Sequence, residues 1–117
     1  MEDLSHIETD IRPWGKFERY TLNESSTVKI ITVNPGEAFS LQTHAHRTEF
    51  WKVIKGSGEV TIGSEIHPAK EGDQFLILDG QAHRAEANPE GLQFLEIAFG
   101  EFDESDITRL EDRYGRT

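Results

Sequence analysis

The chain contains no cysteine among its 117 residues. Disulfides, thiolate nucleophiles and sulfur-ligated metal sites are excluded together, so a bound metal has to be held by His, carboxylate or amide groups. Long apolar runs are missing as well. Nothing approaches the ~18 to 20 consecutive apolar residues of a membrane helix, and the opening MEDLSHIETD has neither a basic start nor an apolar stretch. These absences predict a soluble, cytoplasmic protein without a secretion signal. Positive charge is scarce: 12 Lys and Arg stand against 22 Asp and Glu, for a net charge of −10. Binding to nucleic acid or to an anionic membrane needs clustered bases, so neither is expected as a partner.

The acid excess lies at the ends, with four acids and no base in residues 1–10, and six acids against three Arg in residues 101–117. The body of the chain is therefore close to balanced, and an anionic ligand is admissible wherever a few bases converge. Two cores of ordinary size would need roughly 200 residues, so residues 1–117 are expected to form one domain. An acidic N-terminal arm is expected over 1–10.

Seven Phe, two Trp and two Tyr are enough aromatic bulk for a modest core. Strand patterns occur at 16–22, 27–33, 38–44, 49–55, 58–63, 74–78, 83–87 and 92–99, separated by Gly, Pro, Asn or Asp, for example Pro35-Gly36, Gly63-Ser64, Asp79-Gly80 and Asn88-Pro89. Short strands at regular spacing predict an all-β barrel or sandwich. Residues 104–115 alone predict a helix, with Ser105 as cap, Ile107, Leu110 and Tyr114 on one stripe, and Gly115 as the stop.

The densest polar signal is QTHAHRTEF, residues 42–50. Gln42, His44 and His46 alternate, so an extended strand places them on one face. His83 follows a tight Asp79-Gly80 turn and can meet that face across a closed barrel. Trp14 and Trp51 are expected in the core, and His6 and His67 at the surface, His67 in a turn before Pro68. Arg109, Arg113 and Arg116 can close over a phosphate, but are more simply paired with neighbouring acids on the helix.

The order of these residues resembles the cupin double motif: Gly36, five residues, Gln42, one residue, His44, four residues, Glu49, six residues, Gly56; then Gly72, five residues, Leu78, one residue, Gly80, two residues, His83. That resemblance implies a single cupin jelly-roll barrel of antiparallel strands. It also implies a metal held by Gln42, in the usual place of a His, with His44, Glu49 and His83; His46 is the rival ligand. Leu78 stands where the second motif usually has Pro, and Asn88 lies one residue later than usual.

A closer resemblance runs through RPWGKF, VKIITVNPG, SLQTHAHRTEFW, VIKGSGEVTIG and DITRLEDRYGR, and is to the type II phosphomannose isomerase cupin. There the module commonly forms the C-terminal part of a bifunctional enzyme whose N-terminal part is a mannose-1-phosphate guanylyltransferase. Phe50 stands where that family usually has His, and Ala98 where Gln is usual. The resemblance implies a metal-dependent interconversion of mannose 6-phosphate and fructose 6-phosphate for nucleotide-sugar supply. Zinc is the first choice of metal, with nickel, cobalt, manganese or iron also compatible with N and O ligands. Arg47, Arg84 and Lys29 are the expected phosphate contacts and His46 the expected general base. A homodimer is expected by analogy. A metal cupin of another class, such as a dioxygenase, and a non-catalytic sugar-binding cupin are the competing readings.

Overall fold

The computed structural model describes residues 8–100, 102–103, 105–112 and 114. Nine strands occur among them: β1 Glu8–Arg12, β2 Gly15–Arg19, β3 Ser26–Val33, β4 Leu41–Thr43, β5 Thr48–Ile62, β6 Glu65–Lys70, β7 Gln74–Ile77, β8 His83–Phe99 and β9 Thr108–Glu111. The β1–β2 hairpin is a sheet of its own, and the other seven strands form one antiparallel sheet in the order β6-β5-β8-β4-β9, with β3 on β8 and β7 on β5.

The frame is the pairing of β5 with β8, from Thr48 opposite Phe99 to Ile62 opposite His83. Both strands run through glycines that the sequence pattern presents as breaks. At Gly56 and Gly58 a Cβ would overlap the carbonyl oxygens of Gly91 and Glu86 respectively, so only glycine lets the two strands pack this closely where they bend. Gly56-Ser57-Gly58 and Asn88-Pro89 are therefore bends inside β5 and β8, and the four expected strands there become two. Register shifts at Val53/Lys55 and Gly56/Gly58 absorb the change of direction.

Side chains alternate across this frame. Glu49, Trp51, Val53, Phe94, Glu96 and Ala98 share the inner face, where Trp51, Val53 and Phe94 join Val33, Val60, Ile77, Ala85, Ala87 and Leu92 in the core. Phe50, Ile97 and Phe99 lie on the outer face and are closed off by Tyr20, whose ring stacks on Phe50 at 5.2 Å. The core prediction holds for Trp51, which is buried, and fails for Trp14, which is exposed at the β1–β2 turn. His67 and Pro68 lie inside β6 rather than in a turn. That strand ends the sheet order, and an edge tolerates a residue without an N–H.

The C-terminal helix is not formed in the described residues. Thr108–Glu111 is extended and pairs with β4, Gln42 lying opposite Arg109. Ser105 does not cap a helix; its amide and hydroxyl both donate to Asp103 Oδ1, at 2.9 and 2.7 Å. A helix of about three turns is marginal without packing, whereas the open edge of β4 satisfies β9 directly. Glu8–Asp10, expected as arm, belongs to β1. The rest of that arm, His6, Arg113, Gly115 and Arg116 lie outside the described residues.

Candidate metal centre

Three of the four expected ligands converge inside the barrel. His44, Glu49 and His83 are all buried, and one ligand atom from each lies within 4.8 Å of the others. His44 Nε2 is 3.5 Å from Glu49 Oε2, and His83 Nε2 is 3.8 Å from Glu49 Oε1. Ligand atoms around a tetrahedral ion with bonds of about 2.1 Å are separated by about 3.4 Å, so these spacings need little adjustment.

Each imidazole is oriented by its other nitrogen. His44 Nδ1 donates to the Asp106 carbonyl at 2.5 Å and His83 Nδ1 to the Gln81 carbonyl at 2.9 Å, so both Nε2 atoms carry the lone pair and face inward. His83 Nε2 is buried with no hydrogen-bond partner. An orphaned acceptor of this kind is costly, and a cation is what would satisfy it. Burial lowers the pKa of His83, which keeps it neutral and fit to ligate.

Gln42 lies beside the cluster. Its Oε1 accepts from Ser40 Oγ at 2.7 Å while its Nε2 donates to His44 Nε2 at 3.2 Å. A half-turn of the amide exchanges these roles, giving Nε2 to Ser40 and pointing the oxygen at the cluster, so the residue suits a fourth oxygen ligand. The donor set is thus two imidazoles, one carboxylate and one amide, and fits a divalent ion.

Glu49 is the anion of the group. Burial opposes its charge, but the hydrogen bond from Glu96 and the neighbouring His83, His44 and Arg47 outweigh this and hold its pKa below the ordinary value. Trp51 Nε1 donates to Oε1 at 3.0 Å and Arg47 Nε to Oε2 at 2.8 Å. Glu96, on the adjacent strand, behaves oppositely: burial, then the hydrogen bond and charge of Glu49, raise its pKa to about 8.

A cavity of about 200 Å³ opens onto the cluster. Besides Gln42, His44 and Glu49 it is lined by Lys29, Arg47, Glu96 and Arg109. Of the expected anion-binding residues, Lys29 and Arg47 therefore reach the site. Arg84 does not: it follows His83 on the opposite strand face and bonds the Phe39 carbonyl and Glu111, each at 3.2 Å. Nor does His46, because β4 ends at Thr43 and the alternation stops there. His46 is exposed and lines a separate, open cavity of about 430 Å³ with Arg47, Thr48 and Asp79.

Nothing in the sequence reading singles out Glu96 or Asp106, and Arg109 is weighed there as a phosphate contact but set below pairing with acids. A charged residue on the inner parity of LQFLEIAF was the available signal for Glu96. Arg109 was hidden by the helix expectation, which gave it surface acids as partners. Asp106, whose carboxylate accepts from the amides of Ala45 and His46 at 2.8 and 3.0 Å, carried no local signature. Phe50 is on the outer face, so the family's usual His at that position would not reach the ligands. Ala98 lies opposite Glu49 and faces inward, leaving out a polar side chain at the site.

Residues 2–112 match the family described as "Mannose-6-phosphate isomerase C-terminal". The chain belongs to this family. Mannose-1-phosphate guanylyltransferase ManC of Salmonella typhimurium is 41% identical over 95% of the chain but only 24% of its own length. Xanthan biosynthesis protein XanB of Xanthomonas campestris is 42% identical over 91% of the chain and 23% of its length. Alginate biosynthesis protein AlgA of Pseudomonas aeruginosa is 40% identical over 99% of the chain and 24% of its length. This member of the mannose-6-phosphate isomerase C-terminal family thus spans about a quarter of these relatives. Its barrel superposes on oxalate decarboxylase of Bacillus subtilis with a TM-score of 0.68 at 25% identity, covering 92% of this chain and 31% of that one. KdgF of Halomonas gives 0.65 at 16% identity over 74% and 78% of the two chains. The fold is the cupin barrel. Among the described residues no helix is long and apolar enough to cross a membrane.

Proposed function

We propose that the chain is a metal-dependent sugar-phosphate isomerase module of the mannose 6-phosphate to fructose 6-phosphate type, working in cytoplasmic nucleotide-sugar supply. The observation that carries this reading is the His44–Glu49–His83 cluster with its orphaned imidazole nitrogen, opening onto a cavity lined by Lys29, Arg47 and Arg109. A sugar phosphate needs a site of that kind: oxygen-binding at one end and cationic at the other. The family match and the relatives named for mannose-1-phosphate and polysaccharide synthesis support the substrate class.

His44, Glu49 and His83, with the Gln42 amide, are assigned to a divalent ion, which would supply Lewis-acid stabilisation of oxyanion charge during proton transfer between adjacent carbons. Zinc is the first choice by family resemblance, since nitrogen and oxygen donors alone suit several divalent metals. Manganese is the competitor, since an oxalate decarboxylase neighbour from Bacillus subtilis is described by its Mn(II) centres. Lys29 and Arg109 hold the phosphate, Arg109 through its planar fork. Glu96 is the carboxyl group of the cavity outside the ligand set; held neutral, it is placed to hand its proton to a substrate oxygen and, once ionised, to take one from carbon, a role the distant His46 cannot reach. Trp51, buried beside Glu49, fixes that carboxylate through the indole N–H.

A binding-only role is the second reading, favoured by Ala98 on the inner face beside Glu49. Elemental analysis of purified protein with a coupled assay for fructose 6-phosphate from mannose 6-phosphate separates the two. Metal with turnover supports the isomerase; metal without turnover leaves the binding module.

A second copy of the chain is the proposed partner. The β1–β2 hairpin exposes Ile11 and Trp14, and β3, which among the described residues pairs with β8 alone, exposes Val28 and Ile30. A two-stranded hairpin is marginal in water, and both features gain from being covered.

A further inference from the structure

We infer that the Arg47 guanidinium and a divalent metal ion are alternative cations for one lone pair, that of His44 Nε2, so that metal uptake displaces Arg47 Nη2 from His44. The inference rests on the metal reading given above and goes beyond it by naming what the ion must displace. Arg47 Nη2 donates to His44 Nε2 at 3.0 Å, and Arg47 Nε to Glu49 Oε2 at 2.8 Å. A neutral imidazole has a single acceptor nitrogen, and His44 Nδ1 is committed as donor to the Asp106 carbonyl. Coordination through Nε2 and the Arg47 hydrogen bond therefore cannot coexist. Glu49 Oε2 has lone pairs to spare, so the conflict is confined to His44.

Burial says why Arg47 is there. The residue is only 8% exposed, and its Nη1 is buried without a hydrogen-bond partner. A guanidinium in such a place is poorly solvated and stays because it neutralises the buried Glu49 carboxylate. A metal ion performs that neutralisation at shorter range and also satisfies His83 Nε2, which the guanidinium leaves orphaned. Room for the displaced group lies alongside, since Arg47 also lines the polar 430 Å³ cavity with His46, Thr48 and Asp79.

The test compares wild-type protein with Arg47→Met, both stripped by chelator, for zinc affinity by competition with a chromogenic chelator at one pH. Removing the competing hydrogen bonds to charged partners should tighten zinc binding roughly tenfold or more. The metal-free variant should melt lower than wild type, and zinc should close that gap. Equal or weaker zinc binding by folded Arg47→Met would overturn the inference while leaving the metal site standing. No zinc binding by the wild type would instead overturn both. Where the variant does not fold without metal, the Arg47 Nη–H signal of wild-type protein, from the group that bonds His44, reads the same event. It should shift over the first equivalent of zinc, and an unmoved signal at saturation would sink the idea.

Discussion

Glu49 and Glu96 share the inner face of the paired strands β5 and β8, and their mutual influence drives the two carboxyl groups apart, Glu49 below the ordinary range and Glu96 up to about 8. One carboxylate is thereby kept charged for a cation and the other kept neutral beside it.

The pH dependence follows. Glu96 has its pKa raised from 4.5 to about 8 in the folded chain. Between those values the native state keeps a proton that the unfolded chain has released. Its contribution to stability is therefore complete below about 4.5 and is lost as the pH rises through 8. In chelator-treated protein, the melting temperature of wild type should fall relative to Glu96→Gln over that interval, because the amide still donates to Glu49 and does not titrate. Parallel melting curves for the two proteins across the interval would contradict the assignment of the proton.

His83 gives a direct reading of the metal site. Its Nε2 has no other partner, so His83→Ala removes a ligand without breaking a hydrogen bond at that atom. Metal affinity should fall by more than the roughly 10- to 100-fold typical of outer-shell changes. Metal content after gel filtration, read with the circular dichroism of the same sample, checks this; a folded variant that keeps its metal would remove His83 from the ligand set.

Phe50→His restores the family's usual residue and should bring no catalytic gain. The side chain is fully buried against Tyr20 and Ile97 on the outer face, where an imidazole finds only apolar neighbours in this cluster. A loss of about 1–3 kcal/mol is expected for burying the polar ring there. Urea denaturation measures it, and turnover per folded molecule should be unchanged.

Trp14→Asp and Ile11→Asp in the exposed hairpin should convert a dimer to a monomer in sedimentation. The barrel itself should retain its inner packing, since neither side chain joins the core. A dimer that survives both substitutions would place the interface elsewhere.

The site was more legible in the sequence than the strand boundaries were. The motif order by which the sequence resembles the cupins groups Gln42, His44, Glu49 and His83, and the structure brings His44, Glu49 and His83 within reach of one another. Strand ends carry no such motif. Gly56-Ser57-Gly58 looks like a turn because local chemistry cannot reveal that β8 lies against it and that a Cβ would strike the Gly91 and Glu86 carbonyls. Residues 104–115 have helical spacing, but the free edge of β4 is information from sixty residues away. Arg109 was lost with that helix, and His46 was overvalued because nothing local announces that β4 stops at Thr43.

Glu49 and His83 are built into the two long strands, whereas His44 follows a three-residue strand that β9 flanks. The two halves of the ligand set therefore rest on different mechanical footings. Amide hydrogens of β5 and β8 around the site should exchange only when the whole barrel opens, while those of β4 and β9 have a cheaper, local route. Peeling that outer pair would expose His44 and Arg47 with the remaining ligands still in place, which makes it the natural doorway for an incoming ion.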